Sequence, residues 1–179
     1  MITLNGVPVE IGNFPDGTIL MKQGEFGGLG THIEWKYEND RELVALIYLV
    51  KHLRSKGYYH ISLYMPYIPN ARQDRVKKLD DVFTLKYFSE IINSLGFFAV
   101  RVLDPHSDVS AALIDNLWID SPKTYIEEAL LKMKTYDGVD TDNILVFYQQ
   151  PAKERTSCSA DRNPMGRQQK RLIFQQLRY

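Results

Sequence analysis

Two amphipathic stretches, each stopped by a glycine and followed by an apolar run, constrain this chain most. In the first, about 40–56, Leu43, Leu46, Ile47, Val50 and Leu53 fall at helical spacing; Asn39-Asp40 can cap its start and Gly57 supplies the stop. In the second, about 80–96, Asp80-Asp81 can cap a helix whose apolar face is Val82, Leu85, Phe88, Ile91, Ile92 and Leu95, ending at Gly96. Tyr59 to Met65 follows the first as a buried strand, and Phe97 to Leu103 follows the second. Ser107 or Asp108 can cap a short helix through Leu113, Ser121-Pro122 opens another to about Lys134, and Ile144 to Tyr148 reads as a further strand. Strands alternating with helices in this way predict an α/β fold built of βαβ units, a mostly parallel sheet with helices on both faces.

The chain ahead of these units is different. Residues 1–11 alternate in part and read as an edge strand or hairpin arm. Asn13-Phe14-Pro15-Asp16-Gly17 is a turn, from which Thr18 to Met21 returns as a strand. Gly24 to Gly30 holds four glycines without the Gly-Lys-Ser/Thr ending of a phosphate loop, so it reads as a flexible loop tip.

In parallel sheets ligands sit beyond the carboxyl ends of the strands. Both polar clusters of this chain fall there. The first, after Tyr64-Met65-Pro66-Tyr67-Ile68-Pro69-Asn70-Ala71, is Arg72-Gln73-Asp74-Arg75; the second is Asp104-Pro105-His106-Ser107-Asp108. Arg72 and Arg75 offer planar donor forks for phosphate oxygens, Gln73 can pair with a heterocycle edge or a ribose hydroxyl, and Asp74 could orient an arginine. The same four residues also suit a solvated loop with local ion pairs. His106 between Asp104 and Asp108 could help hold a divalent ion such as Mg²⁺, directly or through water, or could simply cap the next helix. Asp16 in its turn is by itself an ordinary turn-former.

A formal net charge of zero gives no reason to expect nucleic acid or an anionic membrane as partner. No apolar run approaches the roughly 20 residues that span a bilayer, the N-terminus lacks the features of a signal peptide, and the single cysteine agrees with a reducing compartment. A cytoplasmic domain is the expectation.

Tyr67 to Arg75 resembles the tyrosine-rich Ala-Arg-Gln-Asp-Arg/Lys segment of ribose-phosphate pyrophosphokinases, Asp104-Pro105-His106 that family's Asp-Leu-His, and Phe14-Pro15-Asp16-Gly17-Thr18 its Phe-Ser-Asp-Gly-Glu. The motifs stand in the family's order, over roughly residues 10–148. The resemblance implies a Rossmann-like, phosphoribosyltransferase-like fold and transfer of the β,γ-diphosphoryl group of ATP to ribose 5-phosphate. It assigns Arg72 and Gln73 to ATP with Asp74 and Arg75 in support. His106 would face the triphosphate and its Mg²⁺, with Asp104 behind it. Phe14 and Asp16 would reach the adenine of ATP on a neighbouring subunit, which implies a homo-oligomer.

The departures are specific. Thr18 stands where the family has glutamate, Pro105 where it has leucine, Val76 where it has a basic residue, and the stretch after His106 is shortened to Ala111-Ala112-Leu113-Ile114. Within these 179 residues the ribose 5-phosphate and pyrophosphate loops of the family's second domain are not found. Residues 149–179 instead carry seven Lys/Arg against two acids, +5 set against −5 for the first 148, with six of the eight glutamines. This break predicts a domain over 1–148 and a frame-shifted or otherwise non-native tail over 149–179. Two functions remain open: the ATP- and Mg-binding half of a diphosphokinase, inactive alone, or a non-catalytic nucleotide-binding, regulatory or oligomerisation module.

Overall fold

The computed structural model describes residues 1–24, 30–136 and 138. The centre of the glycine-rich loop, the expected strand 144–148 and the tail 149–179 lie outside the described residues. The chain divides into two units, Met1–Ser121 and Pro122–Tyr179.

The first unit opens with a tight hairpin. β1 (Ile2–Leu4) and β2 (Val7–Pro8) pair antiparallel, with Leu4 opposite Val7. The two residues between them, Asn5 and Gly6, both have positive φ, 49° and 82°, the requirement of a two-residue turn whose twist matches its strands. β3 (Glu10–Asn13) and β4 (Ile19–Lys22) form a separate two-stranded sheet around the expected Pro15 turn.

Three crossovers then build the main sheet. β5 (Thr31–Trp35) leads through α1 (Arg41–Ser55) to β6 (Ile61–Met65). From there α2 (Thr84–Ser94) leads to β7 (Ala99–Leu103), and α3 (Asp108–Leu113) to β8 (Leu117–Asp120). The order is β2-β1-β5-β6-β7-β8; β5 to β8 run parallel and β1 meets β5 antiparallel, so the sheet is mostly parallel with an antiparallel edge.

One face of this sheet is the core. Ile33, Trp35, Leu63, Met65, Val100 and Val102 are buried on it. Trp35 fixes both long helices there: its indole donates to Glu42 of α1 at 2.9 Å, and its ring lies 6.1 Å from Phe88 of α2. Asn93 of α2 holds α3 by donating to the Leu113 carbonyl at 2.9 Å and accepting the Asp115 amide at 3.0 Å. Across the sheet run polar pairs instead: His32 with Ser62 at 3.0 Å, and Arg101 with Asp120 at 2.7 Å, beside an exposed Trp118.

β5 and β8 were not expected. β5 alternates in burial, with His32 and Glu34 on the side away from α1 and α2, whereas parallel strands ordinarily read as continuous apolar runs; β8 is four residues long with none fully buried, and its Asp120 lies on the same side as His32 and Glu34. Capping also differs. α2 begins at Thr84, because the Asp81 carboxylate accepts the amides of Lys77 and Lys78 at 2.8 and 2.9 Å and closes a turn ahead of the helix; Val82 is therefore exposed. Asp40 precedes α1, but its carboxylate accepts the Tyr37 hydroxyl at 2.8 Å and makes no cap bond. Gly57 and Gly96 end their helices at φ 88° and 58° as expected.

The second unit contributes α4 (Lys123–Tyr136), whose Ile126 amide bonds the Pro122 carbonyl at 3.0 Å, placing the proline just ahead of the helix.

Candidate functional site

The loop after β6 is folded back on the start of α2. Pro69-Asn70-Ala71 turns with Asn70 at φ 63°, Ile68 and Ala71 buried beneath it. The Gln73 carbonyl accepts the Leu85 amide at 3.3 Å, and its side-chain oxygen accepts the Thr84 hydroxyl at 2.8 Å. Gln73 is thus held at both ends of its residue. Neither bond was visible in the sequence, because Thr84 comes into reach only when α2 docks.

Asp74 is the joint of the site. It is buried, and Arg75 folds back on it through Nε to Oδ1 at 2.8 Å and Nη2 to Oδ2 at 3.1 Å. The Arg75 guanidinium holds the Asp74 carboxyl at about 2, against an ordinary 3.8; burial opposes, and the nearby Ser107 and the charge of His106 assist, although the Ser107 hydroxyl is buried without a hydrogen-bond partner among the described residues. Arg75 belongs to the first polar cluster, Ser107 and His106 to the second. The two clusters therefore come near one another at this carboxylate, with Arg75 the residue bonded to it. Ser107 stands at the cap position of α3 as expected and its carbonyl accepts the Ser110 amide at 3.2 Å, but its hydroxyl makes no cap bond and lies near Asp74.

Arg72 is exposed and makes no ion pair among the described residues, so its donor fork faces solvent. His106 is exposed as well. Asp104, also exposed, has φ 41°, and its amide bonds the Asp120 carbonyl at 3.1 Å across the ends of β7 and β8. Two non-glycine residues in the left-handed region, Asn70 and Asp104, therefore lie at the carboxyl ends of adjacent strands. Each such residue costs on the order of 1 kcal/mol, and such strain gathers at functional sites.

The other expected residues stand apart. Phe14 is half exposed at the tip of the β3–β4 hairpin. Asp16 accepts the Thr18 hydroxyl and amide at 2.7 and 2.9 Å, and these bonds lower its carboxyl below the ordinary value. No hydrogen bond, ion pair or ring contact joins either residue to the cluster around Asp74. A cleft of about 370 Å³ opens elsewhere, lined by Ile2, Ile11, Arg41 and Glu42 among others and by none of the expected site residues. Among the described residues no three His, Cys, Asp or Glu side chains come together as a metal cage. No helix among them is long and apolar enough to cross a membrane.

No protein-family model matches the chain. Curated relatives do. It is 30% identical over 102 residues to the ribose-phosphate pyrophosphokinase of Thermococcus kodakarensis, covering 55% of this chain and 35% of that protein. With the enzyme of the same name from Thermosipho africanus it shares 31% over 116 residues, 61% of this chain and 37% of the relative. In fold it matches the phosphoribosylpyrophosphate synthetase of Mycobacterium smegmatis with a TM-score of 0.61 at 14% identity, over 76% of this chain and 46% of that one. The chain is related to the ribose-phosphate pyrophosphokinases. It spans about a third of the length of the curated pyrophosphokinases it matches.

Proposed function

We propose that this chain is the ATP-binding half of a ribose-phosphate diphosphokinase, an enzyme of nucleotide biosynthesis in the cytoplasm. The observation that carries the reading is the Arg75–Asp74 pair with His106 and Ser107 close to the same carboxylate, which supports taking the two loops that resemble the family's ATP motifs as one site. Arg72 presents its fork to the phosphates, and Gln73, held by Thr84, presents its amide to the nucleoside. Asp74 neutralises and aims Arg75. Transfer of a diphosphoryl group gains mostly from positioning and from neutralising charge on the transferred group, which these residues suit.

Mg²⁺ fits this site as an ion carried in with the nucleotide. The chain offers it one carboxylate, Asp104, with His106 beside the phosphates, and Mg²⁺ commonly takes only one or two carboxylates, completing its shell with water and phosphate oxygens. The ion would neutralise charge on the triphosphate. Phe14 and Asp16, which lie away from the cluster, suit a role toward nucleotide held by a second copy in a homo-oligomer. Ribose 5-phosphate would be bound mostly outside these 179 residues, so the chain alone is expected to release no AMP from ATP and ribose 5-phosphate.

Calorimetric titration of the chain with Mg·ATP tests the reading. Saturable binding, weakened about tenfold or more in Arg72→Ala and in His106→Ala, is expected; affinity unchanged in both would overturn it. The second reading, a non-catalytic nucleotide-binding, regulatory or oligomerisation module, is favoured by the departures from the family's motifs at Thr18, Val76 and Pro105. AMP release that depends on ribose 5-phosphate would exclude it.

A further inference from the structure

Ser107 carries a hydroxyl that the free chain does not use. The residue is partly buried at the start of α3, where its Oγ is shut off from solvent and has no hydrogen-bond partner among the described residues. Burying a hydroxyl unpaired is unfavourable, so such a group calls for an explanation. Helix capping does not supply one. The side chain makes no cap bond, and the Ser107 carbonyl accepts the Ser110 amide at 3.2 Å whatever the side chain is.

The acceptor within its reach is Asp74. Arg75 chiefly, with the Ser107 hydroxyl nearby, holds that carboxyl below its ordinary value. Arg75 takes both carboxylate oxygens, Nε on one at 2.8 Å and Nη2 on the other at 3.1 Å. A bidentate fork of this kind fixes the plane of the carboxyl, and Ser107 stands beside it unbonded. The members of the pair differ in what they can tolerate. The Arg75 side chain is 62% exposed, and its fork suits a phosphate as well as a carboxylate. The Asp74 side chain is only 7% exposed, and a buried charge stripped of its partner is strongly destabilising.

We propose that Ser107 is a reserve donor: when a triphosphate draws the Arg75 fork away, Asp74 turns an oxygen to the Ser107 hydroxyl and accepts from it instead. Arg75 can then turn to the phosphates without orphaning a buried anion. Ser107 is thus a positioning residue, acting on the ligand through Asp74 and Arg75. The trigger rests on the nucleotide reading; the spare donor beside Asp74 does not.

Urea unfolding and calorimetric titration with Mg·ATP, both on the full 179-residue chain, test the exchange. Ser107→Ala should leave the urea midpoint of the free chain unchanged or raised, yet weaken Mg·ATP about tenfold, the order expected for one hydrogen bond to a charged group. Ser107→Thr keeps the hydroxyl and should keep most of the affinity. Ser110→Ala removes another buried, unpartnered hydroxyl from the same helix and should leave ATP binding unchanged. A second readout needs no nucleotide. Arg75→Ala removes the fork permanently, so Ser107 should become the donor to Asp74, and adding Ser107→Ala should lower the urea midpoint in that background alone. Equal Mg·ATP affinity in wild type and Ser107→Ala would overturn the proposal and leave the nucleotide reading standing. A lower midpoint for Ser107→Ala in the otherwise native chain, or no added loss in the Arg75→Ala background, would also overturn it. A wild-type chain that binds no Mg·ATP would overturn both.

Discussion

Arg75 folds back on its own neighbour: Nε and Nη2 of its guanidinium reach the two carboxyl oxygens of Asp74 at 2.8 and 3.1 Å. The arginine is exposed and the aspartate buried, so the pair turns a surface cation into the partner of an interior anion. Because the folded value, about 2, lies below the ordinary 3.8, Asp74 contributes stability above pH 4 that is lost as pH falls from about 4 to about 2. Urea unfolding of wild type and Asp74→Asn between pH 2 and 6 should show the wild-type advantage shrinking by up to about 2 kcal/mol through that window. Curves that stay parallel would mean that the carboxylate is not held down.

Asp104 separates backbone strain from chemistry. At φ 41° a glycine is relieved of a penalty that alanine keeps, so Asp104→Gly should be more stable than Asp104→Ala by about 1 kcal/mol. Thermal melts measure this difference. If Asp104 also serves the metal, both variants should lose Mg-dependent ATP binding equally, despite their different stabilities.

Thr84→Val removes the donor that holds the Gln73 side chain at 2.8 Å while keeping the shape of the residue. The pair is exposed, so stability should fall by less than about 1 kcal/mol. Mg·ATP affinity should fall more than that change implies. Equal ATP affinity in wild type and variant would show that Gln73 needs no anchor.

Glu42 is the most heavily used carboxylate of the core. It accepts the Trp35 indole at 2.9 Å, the Glu38 amide at 3.0 Å and the Met1 amine. Burial pushes its carboxyl up, but bonds from the Met1 amine, Trp35 and Glu38 outweigh this and leave it below its ordinary value. Glu42→Gln keeps the volume but loses the charge, and should cost about 1–3 kcal/mol in urea unfolding. Trp35 fluorescence should report the change, since the indole donates directly to this carboxylate.

The sequence carried α1, α2, β6 and β7 plainly, since each long helix has an apolar stripe, a glycine stop and a buried strand after it. β5 escaped because His32 and Glu34 interleave with its buried residues, a pattern that reads as loop when parallel strands are sought, and β8 because it is four residues long with none fully buried. The caps were misplaced where the acid had a better partner: Asp81 takes two backbone amides before the helix starts, and Asp40 takes a tyrosine hydroxyl. In the site, the residue types of both clusters were legible. Their nearness at Asp74 was not, because nothing local in the sequence places Ser107 beside a residue 33 positions earlier.

The strand order has a consequence for how the sheet is made. From β5 to β8, neighbours in the sheet are also neighbours in the chain, so each parallel pairing closes over a single helix and its connections. Non-local closure is what slows the folding of sheets. Here the closures are short and sequential, and a chain emerging from the ribosome meets each strand's partner before the next strand appears.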